Sequence, residues 1–406
     1  MSMEIPLPLA RPDGRSPLVI AWQLSCFFGW GVYGVNLALA LANHPGFIPL
    51  AALPFGPGDI VLDPLRTKRL TRVTDESRGL WEALAALPSR WVALDAPVLH
   101  PLDETFSIDT IAHQRVLSGQ PDIGIIFFHN TTITAQSREA ATHFPIVVTG
   151  SGWAEAILRE NGIAAATVIQ GVDSSLFHPA PRAGLFPGRF VIFSGGKLEI
   201  RKGQDLVLAA FRAFHGRHPE ALLLTAWHSP WPGLAAEAVA HAAVQPPPRV
   251  QDGTIDVIGW AVANGIPADA IVDVGPTPNI AMPHVLREAD AALFANRCEG
   301  GTNLVAMECM ACSVPTILSA NTGHLDLLQH DAALPLRQQR PVHLADTGTE
   351  GWGESSVDEM VEALETLWRD RAQAAALGAR GAAAMAQLAW TRQVEALLQA
   401  IAPHLS

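Results

Sequence analysis

Short apolar runs rich in β-branched residues alternate along this chain with longer stretches whose apolar positions recur every three or four residues. That alternation predicts βαβ units built around parallel sheets. In the first half, strands are expected at LVIAWQLS, GFIPLAAL, RWVALDAP, DIGIIFFH, PIVVTG and ATVIQ. Helices are expected between them at VYGVNLALALAN, RGLWEALAAL, TAQSREAATHF and WAEAILREN. Prolines and glycines then interrupt the rhythm over 173–188, which reads as an interdomain linker.

The alternation restarts with strands at RFVIFSGG, EALLLTAW, TIDVIGW, AIVDVG, AALFAN and PTILSA, and a helix at QDLVLAAFRAFHGR. The Ala- and Pro-rich stretch 230–249 reads as a helix with loose flanks, and 356–404 is helical throughout. The expected organisation is therefore α/β with two doubly wound domains, 1–172 and 189–387, and a C-terminal helix at about 388–406 that returns to the first.

A chain of 406 residues with 49% hydrophobic and 16% charged residues has ample apolar surface for two cores and little tendency to disorder. Its net charge of -12 argues against a nucleic-acid-binding role. No apolar run reaches the length of a membrane span, and the N-terminus lacks a basic region followed by an apolar core, so a cytoplasmic location is expected. The basic run RTKRLTR at 66–72 leaves peripheral membrane contact open, although such a run is more often a solvated helix face. Cys26, Cys298, Cys309 and Cys312 are too few for a disulfide framework. Cys309 and Cys312 form a CxxC inside an apolar helical run with no second pair to complete a zinc set, so no metal is expected there.

The richest chemistry lies in 291–328. A strand ends near Ala295, a turn carries Glu299, Gly300, Gly301 and Thr302, and a helix begins with Asn303 as its cap and Leu304 after it. Backbone N–H groups and a helix N-terminus would there meet a phosphate or diphosphate. Glu299 and Glu308 are suited to accept sugar hydroxyls, ribose included; the plainer reading makes them a loop residue and a helix-surface charge. A second loop, SGGKLEIRKGQ, places Gly196, Lys197, Arg201 and Lys202 between a strand and a helix, three cations able to neutralise a leaving diphosphate. Gly31 lies in the Gly-rich run FGWGVYG joining the first strand to the first helix, and His129 ends the strand DIGIIFFH. No Asp-x-Asp follows a strand to hold a divalent cation against a diphosphate, and neither a GxSxG elbow nor a Walker-type loop is present.

Four of these segments occur in one order that resembles the family-4 retaining glycosyltransferases with the GT-B fold. They are GWGVYGVNL, IQGVDSSLFHP, GGKLEIRKGQDLVLAAF and EGGTNLVAMECMACSVP. The resemblance implies two Rossmann-like domains facing a cleft, with the C-terminal helical run crossing back. It implies a metal-independent, cofactor-free hexosyltransferase that uses a nucleoside-diphosphate sugar, UDP or GDP type, as donor to an unknown acceptor. Lys202 would bind the donor diphosphate, with the backbone from Gly301 to Leu304 cradling it and Gly31 touching it from the other domain. Glu308 would bind ribose, Glu299 the transferred sugar, and His129 would lie near the reacting centre. Two positions depart from the family: eight residues rather than seven separate the two glutamates, and Gly196 replaces an arginine, leaving Lys197 or Arg201 to supply its charge. A nucleotide-sugar epimerase, a phosphorylase, and an inactive sugar-binding scaffold on the same fold are the rival readings.

Overall fold

The computed structural model describes residues 3–5, 14–87, 90–108, 115–229, 232, 244 and 246–405. The chain divides into two compact units, one of 1–173 with 278–280 and 388–406, the other of 174–277 with 281–387.

The first unit is built on a six-stranded parallel sheet of β1 (Ser16–Ile20), β2 (Phe47–Ala51), β3 (Val98–Leu102), β4 (Asp122–Ile126), β5 (Val147–Thr149) and β6 (Ala165–Thr167), in the order β2-β1-β3-β4-β5-β6. RWVALDAP, expected among these strands, does not join this sheet. It supplies Trp91–Leu94 of a separate three-stranded sheet with Met3–Ile5 and Val116–Ser118, and the central place in the main sheet goes to VLHPL. His100 and Pro101 disguise that strand as a loop. His100 is buried because its Nε2 lies 2.6 Å from Asp122 Oδ1, so its polarity is satisfied inside the sheet. The other carboxylate oxygen of Asp122 meets His143 Nε2 at 2.6 Å.

Helix α1 (Gly29–Leu41) begins within the Gly-rich run, which is thus its first turns rather than a turn preceding it. A Cβ on Gly31 would lie 2.5 Å from Ser25 Cβ, and one on Gly34 2.6 Å from Trp22 Nε1, so both glycines serve close packing. The basic run 66–72 opens the helix Pro64–Ala86, where Arg66 pairs with Asp63 and, at 2.7 Å, with Asp173. The helix Trp390–Ile401 also belongs to this unit. Val172 N–H donates to Leu388 O at 2.8 Å, and the Trp390 ring packs 5.4 Å from Tyr33.

The second unit repeats the plan with β7 (Phe190–Gly195), β8 (Ala221–Ala226), β9 (Ile271–Asp273), β10 (Ala291–Phe294), β11 (Thr316–Ser319) and β12 (Leu334–Leu336), all parallel, in the order β9-β8-β7-β10-β11-β12. The strand order reverses between β7 and β10, the place where open α/β sheets bind ligands beyond their C-terminal ends. After β7 comes α2 (Gln204–His215), whose Leu206, Val207, Ala210, Phe211 and Phe214 enter the core beneath the sheet. After β10 comes α3 (Leu304–Ala311).

TIDVIGW is not a strand of this sheet. Only Thr254–Ile255 is extended, in a hairpin, and Val257–Ala263 is helical because Asp256 caps it, its Oδ1 accepting the Gly259 N–H at 2.8 Å. The helix expected within 230–249 falls largely outside the described residues. From Ser174 onward the Pro/Gly-rich segment counts with the second unit. There the buried Glu288 accepts N–H groups from Ala183, Gly184 and Leu185 at 2.6, 3.0 and 2.9 Å.

Candidate donor site

At the reversal point, two loops are locked together. The chain leaves β7 through Gly196, at φ +118°, and makes a 3-10 turn over Ile200–Lys202 before α2. Gly203 closes that turn at φ +67°, and a Cβ there would sit 2.0 Å from the carbonyl oxygen of Ala295 at the end of β10. Only glycine permits so close an approach. The consequence is that Lys202 reaches Glu299. Lys202 Nζ and Asn296 Nδ2 both donate to Glu299 Oε1, while Arg201 Nη1 stands 3.6 Å from Oε2. The third cation of the loop turns elsewhere: Lys197 Nζ lies 2.5 Å from Glu199, which also meets Arg201 Nε at 2.6 Å. Gln204 holds the loop from behind, donating to Lys197 O at 3.0 Å.

These charges sit in a buried setting. Burial opposes ionisation of Glu299, yet Lys202 and Arg201 hold its carboxyl below the usual range. Burial pulls the Lys202 ammonium down against the attraction of Glu299. Glu199 is likewise desolvated, but Arg201 and Lys197 bring it down to about 2. Two cations thus converge on one carboxylate.

The Glu299 turn is templated from behind by the loop after β11. Thr322 Oγ1 accepts the Glu299 N–H at 2.8 Å, the Gly323 N–H donates to Glu299 O at 3.1 Å, and a Cβ on Gly323 would fall 1.6 Å from Gly301 O. Asn303, at φ +66°, caps α3 as expected, its Oδ1 accepting the Ala306 N–H at 3.4 Å. Gly300 and Gly301 are buried, and Thr302 directs its hydroxyl to Met307 Sδ at 3.0 Å rather than outward. Leu304 opens the helix half-buried, and Glu308 is buried within it, not a surface charge. The helix N-terminus therefore lies at the same turn as Glu299, where its dipole favours an anion.

The residue that joins the two loops is Arg297, which the sequence reading passed over together with its partner Asp205. Its guanidinium makes two 2.8 Å bonds to the Asp205 carboxylate, one to Ile200 O and one to Glu354 Oε2. Arg297 and Asp205 are 3% and 1% exposed, so this is a fully internal ion pair. The available signal was an arginine two residues before Glu299 and an aspartate in the first turn of α2.

Cys298 and Cys312 are pushed up to about 12 by burial, and Cys309 well above the usual thiol range. They are protonated packing residues. Among the described residues no group of three or more His, Cys, Asp or Glu side chains could hold a metal ion. His129 and Gly31 both belong to the first unit. His129 is exposed, three residues past the end of β4, and Gly31 is buried against Ser25.

Residues 279–397 match the family described as Family 4 Glycosyltransferase in conflict systems. Sucrose-phosphate synthase from Thermosynechococcus elongatus superposes with a TM-score of 0.60 at 16% identity, over 95% of this chain and 98% of that one. Anabaena HepE in complex with UDP and glucose gives 0.58 at 12% identity, over 95% and 99%. A glycosyltransferase from Rickettsia africae gives 0.62 at 10% identity, over 97% and 99%. The chain carries the GT-B glycosyltransferase fold. The segment that matches the family model spans β10, α3, β11, β12 and the helices that follow, and so includes Glu299, Arg297 and Glu308. No curated protein matches the chain in sequence. Among the described residues no helix of this GT-B chain is long and apolar enough to cross a membrane.

Proposed function

We propose that this chain is a retaining glycosyltransferase that moves a hexose-type sugar from a nucleoside-diphosphate sugar to an acceptor hydroxyl, without metal or cofactor. The observation that carries the reading is the convergence of Lys202 and Arg201 on Glu299 at the sheet's reversal point, beside the N-terminus of α3. A diphosphate entering there meets two cations and a helix dipole, which together stabilise the charge that builds on the leaving group. Arg201, rather than Lys197, supplies the cation missing at Gly196. The backbone of Gly301, Thr302, Asn303 and Leu304 borders the same anion, with Glu299 directed to the transferred sugar and Glu308 to the ribose.

The roles of His129 at the reacting sugar and of Gly31 at the diphosphate rest on the family resemblance alone. So does retention; a cytoplasmic location, and peripheral contact with a membrane through the basic run 66–72, are parts of the same proposal. Structures similar to this one are described in complex with UDP and with UDP-glucose, which favours a UDP donor over GDP. Thermal shift with UDP and GDP tests the site. Stabilisation by one of them is expected for the wild type, as binding to the native state alone raises the midpoint. Lys202→Ala should lose that response and most turnover; near-normal transfer by this variant would overturn the assignment.

A further inference from the structure

Arg297 reaches one short segment of the neighbouring loop through both its backbone and its side chain. Its own N–H donates to Arg201 O at 2.7 Å, and the next N–H, that of Cys298, reaches the same oxygen at 3.1 Å. Nη1 donates to Ile200 O and to Asp205 Oδ1, each at 2.8 Å, while Nη2 takes Asp205 Oδ2 at 2.8 Å. The carbonyls held are those of the 3-10 turn from which Arg201 and Lys202 project, and Asp205 is in the first turn of the helix that follows. Two residues further along from Arg297 is Glu299, to which both cations point.

We infer that Arg297, braced by Asp205, is a positioning residue that fixes Arg201 and Lys202 for the donor diphosphate. The inference rests on the donor-site reading above. A planar guanidinium can satisfy a carboxylate with two parallel bonds while its remaining N–H groups take a carbonyl and a second carboxylate; an ammonium cannot copy that fork. Glu354 supplies the second carboxylate at 2.8 Å and keeps Arg297 neutralised when Asp205 is altered. Burial works against the charge of Arg297, but Asp205 and Glu354 raise its proton affinity above the ordinary arginine value, so it remains a cation throughout. The turn's two carbonyls and the helix's first carboxylate are thus tied to one side chain. Loss of the fork frees the cations to drift without removing either of them.

The test compares Arg297→Lys with the wild type for binding of the nucleoside diphosphate that stabilises the wild type and of its parent nucleoside, by calorimetry. Loss of a hydrogen bond to a charged group costs about 10- to 100-fold in affinity. The expected result is a loss of about tenfold or more in diphosphate affinity, with nucleoside affinity unchanged and the near-ultraviolet circular dichroism of the wild type retained. Asp205→Asn should reproduce the selective loss, and the double variant should add little to either, as for two members of one network. If Arg297→Lys does not fold, Asp205→Asn carries the same comparison, with Glu354 still paired to the arginine. Equal weakening of nucleoside and diphosphate would show a merely structural role, and wild-type diphosphate affinity in the variant would show none; either overturns the inference. A wild type that binds the nucleoside diphosphate not at all removes the donor site itself and this inference with it.

Discussion

Nε2 of His324 lies 3.1 Å from Nδ2 of Asn303, a contact in which the amide donates and the imidazole accepts. Its Nδ1, 3.3 Å from Ser319 O, carries the proton. This arrangement requires the neutral ring, and burial together with nearby Lys202, against the pull of Glu299, brings His324 down to about 4. Above the unfolded value near 6.5 both states are neutral. Between about 6.5 and about 4 the unfolded chain takes up a proton that the folded one refuses, so stability is lost as pH falls through that window, by at most about 3 kcal/mol. His324→Gln should remove this part of the acid sensitivity, seen as a smaller drop in urea midpoint between pH 7 and pH 5.

Gly203 and Gly196 both have positive φ but differ in what surrounds them. Gly203→Ala adds a Cβ 2.0 Å from Ala295 O and should prevent the loops from closing, at a cost above about 3 kcal/mol. Gly196→Ala meets nothing nearer than 3.9 Å, so only backbone strain of about 1–2 kcal/mol is expected. Chemical denaturation of the two variants checks the ordering.

Glu299→Gln leaves Lys202 and Arg201 facing a neutral amide in a buried place. Breaking a buried ion pair costs about 3–5 kcal/mol, and a bound diphosphate would restore the missing negative charge. The variant should therefore melt lower than the wild type but show a larger thermal shift with saturating nucleoside diphosphate. An equal or smaller shift would contradict the placement of the anion beside these cations.

Lys197 has a side chain 34% exposed and is paired to Glu199, whereas Arg201 is 17% exposed and turned to both Glu199 and Glu299. Lys197→Ala should weaken nucleoside-diphosphate affinity by less than about threefold, because its ammonium is turned to Glu199 and not to Glu299. Arg201→Ala should weaken it by about tenfold or more, as for a lost charge-assisted bond. Calorimetric titration of the two variants distinguishes them.

The two doubly wound sheets were legible because parallel strands covered on both faces read as unbroken apolar runs, and ten of the twelve overlap runs expected from the pattern. VLHPL escaped because its histidine is made compatible with burial by Asp122, a partner 22 residues away that no local pattern records. TIDVIGW misled because its apolar residues fit either period, and the cap at Asp256 decided for the helix. In the candidate site the Asn303 cap was legible as local chemistry. The Arg297–Asp205 pair spans 92 residues and depends on the order of strands β7 and β10, which composition and spacing do not encode. The choice among Lys197, Arg201 and Lys202 was hidden for a related reason: all three are cations in one loop, and only the turn Ile200–Lys202 determines which two face Glu299.

The helix Trp390–Ile401 lies over Val172 and α1, in the unit that contains the beginning of the chain. On the ribosome, that unit is therefore begun before the second and completed after it. The six strands of its main sheet emerge early, but the surface around Gly171, where a Cβ would lie 2.6 Å from Trp390, stays uncovered until the whole of 174–387 has been made. The second unit has all its own strands by then and can fold while the first waits. Shortening the chain at its C-terminus would accordingly damage the unit that carries His129 and spare the one that carries Lys202.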